Sequence, residues 1–443
     1  SIPGIAVLGL ALLVSCNNGS GGGAGGPQLA AVGDTPILAS HVDQSAAEAG
    51  EIDAQELIEA GRTLFVTPFN VLDGAGRPEA TGTGASRSRR EIPENFNRLS
   101  SPDTESCAGC HNKPGPGGGG DNVVNVFVLA QALPHLNFDG GEGDDFMDHD
   151  LQSVANERAT VGMFGSGYTE LLARELTAAL HSLRDQAQLQ AALDGTPVLM
   201  PLVAKGIDYG SLTANPDGSL DMSAVEGVDD DLIVKPFHQK GVVISLREFT
   251  NNAMNHHHGI QTEERFGSGV DHDNDGMVDE LTVGDVTAVS LFQAALPVPG
   301  RVLPDDAAAL TAIANGEDLF ATIGCADCHT PALTLEDPIF SEPNPYNPAG
   351  NLQLADVGAP VSLDLTQDGP APRLARELDG TVSVPIYSDF KRHDMGPGLA
   401  EPKVQAGVPT TEFLTKRLWG FANEGPFMHH GRSALAIAGL VAQ

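Results

Sequence analysis

The stretch Cys325-Ala-Asp-Cys328-His329 sets two cysteines three positions apart, with a histidine directly after the second. The same spacing recurs in Cys107-Ala-Gly-Cys110-His111, so four of the chain's 5 cysteines lie in two C-x-x-C-H pentapeptides. Cysteines three apart sit about one helical turn from each other, so both sulfurs can reach the two vinyl groups on one edge of a porphyrin. The adjacent histidine then brings its imidazole under the iron as proximal ligand. A zinc site needs two further ligands for each pair, and the cysteines run out. A redox C-x-x-C does not require the histidine. The motifs therefore predict two covalent c-type haems, with Cys107, Cys110, Cys325 and Cys328 as attachment points and His111 and His329 on the irons.

A second chemical pattern is Asp271-His-Asp273-Asn-Asp275-Gly276-Met277-Val-Asp279-Glu280. Alternating carboxylates, a glycine for the sharp turn, the Met277 carbonyl at position seven and Asp279 at nine match the first half of an EF-hand-type loop. Position twelve is Thr282, so the bidentate ligand would fall to Glu280 or Asp285. Carboxylates this closely spaced repel unless a cation lies between them. One calcium ion is the expectation.

The fifth cysteine, Cys16, ends the apolar run IAVLGLALLVSC, which is too short to span a bilayer. It reads as a signal peptide ending in a bacterial lipobox, with Cys16 as the lipidated residue. The run lacks an initiating Met and a basic leader, so this end reads as truncated. The following NNGSGGGAGGPQ reads as a flexible tether. The expected location is the periplasmic side of a bacterial envelope, held to the outer membrane by the lipid alone.

Helices must present the haem motifs. Ahead of the first, Leu57, Ile58, Leu64 and Phe65 recur at helical spacing; ahead of the second, Leu310, Ile313, Leu319 and Phe320 do the same, with Asp305 or Asp306 as cap. Gly61-Arg-Thr-Leu-Phe65 and Gly316-Glu-Asp-Leu-Phe320 match in Gly, Leu and Phe, an internal repeat suggesting two haem domains of one ancestry. Between Phe65 and Cys107 lies a polar insertion containing SRSRR, whereas Phe320 nearly abuts Cys325. Residues 168–193 read as a long amphipathic helix. Gly115–Gly120 reads as a flexible loop, or as room left over a haem edge. Strand signals are weak, so the fold is predicted to be mainly α: two cytochrome c-like haem domains with long irregular connections. The expected division is 1–16 signal peptide and lipobox, 17–50 tether, 51–300 first haem domain with insertions and the calcium-type loop, and 301–443 second haem domain.

Composition sets the outer limits. With 24 basic against 59 acidic residues the formal charge is −35, which repels nucleic acid and anionic lipid. Aromatics make up 5% with a single Trp, while 52 Gly and 30 Pro imply much irregular chain.

From residue 237 the chain reads FHQKGVVISLREFTNNAMNHHHGIQTEERFG, followed by the acidic loop, the second haem segment, SDFKRHDMGPGL and LWGFANEGPFMHHGRS. Together these resemble the di-haem cytochrome c peroxidase superfamily, nearest the di-haem oxidoreductase branch named for thiol oxidation. The resemblance covers roughly residues 51–443, strongly after 237. Relatives continue with a further helix after HHGRS, so this end too reads as truncated. No cysteine remains for thiol chemistry.

The resemblance implies a division of labour. One haem transfers electrons with His and Met ligands, here His329 and Met395; the other, on His111, is where peroxide or a related oxidant binds. In the peroxidases a glutamate helps cleave the peroxide bond. Here the matching positions are His257 or His258, within the run His256–His258. An imidazole can replace it as acid–base, or can ligate the iron and close the site; a solvated cluster is the plainer reading. Glu248, Glu263 and Glu264 are substitute carboxylates. Trp419 would line a haem pocket or an electron path, or simply pack in the core, and His429 and His430 would meet haem edges or propionates. The implied function is an exported di-haem oxidoreductase of the peroxidase type, with electrons entering at the second haem from a small cytochrome c or a cupredoxin. The alternative is a non-enzymatic electron carrier with both irons six-coordinate; a third, by fold analogy, is an oxygenase or protein-modifying oxidase. Calcium between the haem domains and a homodimer also follow from the resemblance.

Overall fold

The computed structural model describes residues 35–76, 106–120, 122–125, 156–271, 275–420 and 427–428. Cys16, the insertion's SRSRR, Asp273, His429 and His430 lie outside the described residues.

The described helices are α1 (Gln44–Glu48), α2 (Ala54–Val66), α3 (Cys107–Cys110), α4 (Ser166–Asp194), α5 (Leu246–Ala253), α6 (Glu263–Phe266), α7 (Val283–Ala294), α8 (Ala307–Thr322) and α9 (Cys325–Cys328). A single π-helical turn, Met254–His258, continues α5. Helix α2 begins as expected for its sequence. Asp53 accepts from Glu56 N at 2.8 Å while the Glu56 carboxylate accepts from Asp53 N at 3.0 Å, a reciprocal cap. Its buried face is Leu57, Ile58, Gly61, Leu64 and Phe65. That face packs on α7, whose backbone comes so close that a Cβ on Gly61 would lie 1.9 Å from the Ala288 carbonyl oxygen. Helix α7 is buried on almost every side, its polar Asp285, Thr287, Ser290 and Gln293 included.

The expectation of a mainly α chain is not met. Among the described residues helix accounts for 33% and strand for 16%, the latter in several small antiparallel sheets. Strands β1 (Asn122–Val124) and β2 (Glu157–Ala159) pair antiparallel, and β3 (Val198–Ala204), β4 (Ile207–Ala214) and β5 (Leu220–Asp221) form a three-stranded sheet against α4. The turn between β3 and β4 is Lys205-Gly206, both with positive φ (48° and 81°), as a two-residue hairpin requires. Among the other pairings are Leu333–Leu335 with Val382–Val384, Ile339–Glu342 with Val361–Asp364, and Arg392–Asp394 with Glu412–Leu414. These segments are too short to build an alternation that a reader of sequence can see. In β3–β4, Pro201 and Gly210 interrupt it further.

One hydrophobic cluster runs through both expected haem domains, from Ala47 and Leu57 through α4 to Leu333, Phe340, Ile386 and Trp419. The last part of the expected tether joins this body. Asp285, which caps α7 together with Thr282, also accepts from Val42 N at 2.9 Å and bonds His41 Nδ1 at 2.6 Å. Residues 35–50 thus strap over the start of α7.

Several of the few cations lie inside. Arg247 and Lys240 are 0% exposed, and Arg158 and Arg174 are also buried. Each meets a carboxylate, so the acidic excess is left to the surface.

Candidate functional site

The two C-x-x-C-H motifs form the same small device twice. Each pair of cysteines brackets a single helical turn, α3 and α9, and each histidine N–H returns to the first cysteine's carbonyl, at 3.0 Å for His111 and 2.9 Å for His329. Both histidines then leave the helix with nearly equal backbone angles, φ −91° and ψ 74° for His111, φ −85° and ψ 64° for His329. Each ring meets the phenylalanine of its preceding helix in the same pose. Phe65 and His111 lie 6.4 Å apart at 52°, Phe320 and His329 6.3 Å apart at 52°. The repeat seen in the sequence is a repeat in three dimensions.

In both copies Nδ1 is directed to a backbone carbonyl: Gly118 O at 3.2 Å from His111, Tyr387 O at 3.0 Å from His329. A carbonyl only accepts, so each Nδ1 carries the proton and each Nε2 keeps its lone pair. That is the tautomer a metal-ligating imidazole needs, with its second nitrogen already fixed by a partner. Removal from water pushes His111 down to about 4, so its ring is neutral at ordinary pH. The same effect pushes the Cys107 thiol up to about 12. Thiols one helical turn apart beside a neutral, oriented imidazole fit covalent haem.

Gly115–Gly120 does more than give slack. The loop folds back as a bridge between Lys113 and Gly119 and supplies the carbonyl that orients His111. A Cβ on Gly120 would lie 1.9 Å from the Cys110 carbonyl oxygen. Gly120→Ala must therefore push the loop off the motif. The expected loss is about 1–3 kcal/mol, the usual cost of overpacking, read as a lower urea midpoint with unchanged slope.

The histidine run occupies the π-helical turn after α5, an irregularity often found at functional sites. Consecutive residues on a helical turn point in different directions, so the three cannot act alike. His258 is 1% exposed, with Nε2 3.6 Å from Cys107 Sγ and its ring 5.9 Å from Phe69. His257 lies where its charge bears on both His111 and His238, lowering each. His256 is driven well below the usual range by removal from water, with Arg265 and His257 adding to it. Of the three, His258 is buried against the first motif, while His256 and His257 are half-buried.

The substitute carboxylates are committed elsewhere. Glu248 caps its own helix, accepting from Ile244 N at 2.7 Å, and burial raises its pKa. Glu263 accepts from Val283 N at 3.1 Å, and Glu264 pairs with Arg247 at 2.9 Å.

At the second motif, Met395 is 47% exposed and opens the loop between the paired segments 392–394 and 412–414. Two residues earlier, His393 bonds Asp389 at 2.8 Å, and ligand atoms of Cys328, Asp389 and His393 all lie within 4.8 Å of one another. Sequence reasoning passed over His393, although it stands in the same HDMG that singled out Met395. Trp419 is buried, donating Nε1–H to Pro385 O at 2.6 Å and packing on Gly165.

In the acidic loop, Asp271 accepts from Asp275 N and Gly276 N at 3.2 and 3.0 Å, Asp275 accepts from Met277 N at 2.7 Å, and Asp279 from Gly269 N at 2.6 Å. Burial, then the Asp271 charge, raises Asp275. Neither candidate for the missing bidentate ligand is available. Glu280 is turned inward onto Gln261, whose N and Nε2 it binds at 2.7 and 2.8 Å, and Asp285 is the cap of α7.

His238 was also missed. Its backbone has φ 67°, a strained conformation that no spacing rule reveals, and it lies within electrostatic reach of His256 and His257. No family model matches the chain, and searches of curated proteins and of solved structures returned no match either.

Proposed function

We propose that this chain is an exported, peroxidase-like di-haem c-type cytochrome, with His111 and His329 as proximal ligands and Cys16 as lipid anchor. The observation that carries the reading is the duplicated geometry: two C-x-x-C turns, two histidines with Nδ1 tied to a carbonyl, and two phenylalanines in one pose. Bound haem would supply one-electron chemistry and, at the first motif, an iron able to take a small oxidant such as peroxide.

The chain's own residues do the rest. Gly118 O and Tyr387 O hold the two imidazoles in the ligating tautomer. Buried His258 helps keep bulk water from the first motif, and His257 or His258 holds or releases the proton that peroxide cleavage requires. Asp271, Asp275, Asp279 and the Met277 carbonyl would hold a calcium ion, offsetting the burial and the Asp271 charge that raise Asp275. The donor is a small redox protein with a basic face, matched to a surface of net charge −35.

The test is steady-state hydrogen peroxide reduction by calcium-loaded, half-reduced protein, with a reduced cytochrome c as donor. Turnover should fall about 100- to 10,000-fold in the His257→Ala/His258→Ala double variant, the usual worth of a positioned acid–base group. Wild-type protein that does not turn over, with both irons low-spin, is an electron carrier instead.

A further inference from the structure

Beside the second motif lies a donor set to which the proposed function gives no part. Ligand atoms of Cys328, Asp389 and His393 (a sulfur, a carboxylate oxygen and an imidazole nitrogen) all lie within 4.8 Å of one another. Thiolate, carboxylate and imidazole are the donors that zinc takes, and three of them from protein leave a fourth, tetrahedral position to water. At ordinary zinc bond lengths such ligand atoms stand about 3.4–3.6 Å apart, so closing onto an ion takes about 1 Å of side-chain movement.

The backbone under this set is held firmly. Asp389 is 3% exposed, in a loop where Tyr387 and Phe390 both have positive φ, 52° and 56°. Residues other than glycine keep such angles only where their surroundings enforce them. Here Tyr209 Oη donates to Asp389 O at 3.1 Å and Ser388 Oγ to Thr415 O at 2.7 Å. One oxygen of the Asp389 carboxylate accepts from Lys391 N at 3.0 Å, and the other meets His393 Nε2 at 2.8 Å. Among the described residues its ion pair is with that imidazole, not with a lysine or arginine. A buried carboxylate ordinarily has a full cation or a metal beside it. His393 is fixed in the strand Arg392–Asp394, opposite Phe413, and Cys328 closes α9.

We propose that Cys328, Asp389 and His393 form a zinc site of the chain before haem is attached at the second motif, and that zinc and haem exclude each other there. Zinc binding stands on the three residues alone; the exclusion rests on the haem reading above. One sulfur makes the two states exclusive. Zinc takes Cys328 as thiolate and sends its proton to solvent. Haem attachment instead adds Sγ and its hydrogen across a vinyl C=C, which leaves a thioether and no thiolate. Zinc bound first therefore keeps the second motif from its haem.

Cadmium, a soft zinc surrogate whose bond to sulfur absorbs in the ultraviolet, is the probe. It is titrated into the full chain made without haem and kept reduced, with alanine at Cys16, Cys107 and Cys110. One sulfur-linked cadmium per chain is expected, displaced by zinc. His393→Gln and Asp389→Asn should each weaken it by about 100-fold or more, since even an outer partner of a metal is worth about 10- to 100-fold. His393→Cys supplies a second sulfur and should keep the affinity while strengthening the band, which a merely structural histidine would not do. Cys325→Ala should change nothing. Loss in Cys325→Ala, or full affinity in His393→Gln, places the metal on the motif's own residues and overturns the proposal. So does a haem-free chain that takes no cadmium. The same chain exported with its second haem attached should show no sulfur band, and a band there overturns the exclusion. Exported protein whose Cys325 and Cys328 carry no haem by peptide mass sinks the haem reading, while the cadmium titration still decides the zinc site.

Discussion

A variant with alanine at both Cys107 and Cys110 is expected to lose all peroxide turnover and one of its two covalent haems, while the second motif keeps its own. The two attachment turns are separate devices. Each histidine takes its orienting carbonyl from its own surroundings, Gly118 for His111 and Tyr387 for His329, so removing one set leaves the other intact. The consequences are nonetheless unequal. Cys107 packs against both hydrophobic clusters of the described residues and touches His258, whereas α8, ahead of the second motif, has no buried residue. Loss of the first group therefore also loosens α2 and the π-helical turn. The mirror variant, alanine at Cys325 and Cys328, should lose donor-driven turnover but keep fluoride binding at the first site. Pyridine haemochrome content and peroxide consumption, measured on both variants, decide the matter. Turnover that survives in the first variant would remove the oxidant site from His111.

The two Cys-x-x-Cys-His turns were legible in the sequence because their motifs are local. Two cysteines and a histidine within five residues dictate one turn, and the turn appears twice. The helices before them were legible for a related reason: α2 and α8 carry caps, Asp53 and Asp306, and apolar residues at helical spacing. The β content was not legible, because pairs such as Ile339–Glu342 with Val361–Asp364 are made by chain closure over about twenty residues, not by any repeat inside a strand of four. The second layer of the site was hidden for the same reason. Gln405 reaches His238 across 167 positions, and Arg158 reaches Glu401 across 243. Such pairs follow from topology alone. Glu248 and Glu280, singled out for lying near a motif, have partners that sequence does not show: one caps its helix and the other holds Gln261. A carboxylate's neighbours in sequence say little about its partners in space.

The largest stability effect expected of a single substitution is at Arg247. Its guanidinium is 0% exposed and reaches Glu342 at 2.7 Å, Glu264 at 2.9 Å and Thr287, tying α5 to α6, α7 and the strand Ile339–Glu342. The neighbouring charges of Glu264 and Glu342 hold Arg247 protonated against the cost of burial. Arg247→Ala leaves two buried carboxylates facing a cavity. Removing one partner of a buried pair costs about 3–5 kcal/mol, because the other charge stays desolvated. The urea midpoint should fall accordingly at neutral pH. The deficit should narrow with acid. Burial raises Glu342 above its ordinary 4.5, and in the variant only Arg174, 3.8 Å away, still opposes that rise. The folded variant thus binds a proton that the unfolded chain releases, so its stability declines as pH climbs from 4.5 through the raised value, and recovers on the way down. Adding Glu342→Gln to Arg247→Ala removes the orphaned charge and should restore part of the loss at neutral pH. A deficit that is the same at every pH, unrelieved by Glu342→Gln, would mean that Arg247 contributes by filling space, and that the buried ion pairs joining the two halves of this protein are incidental to its stability.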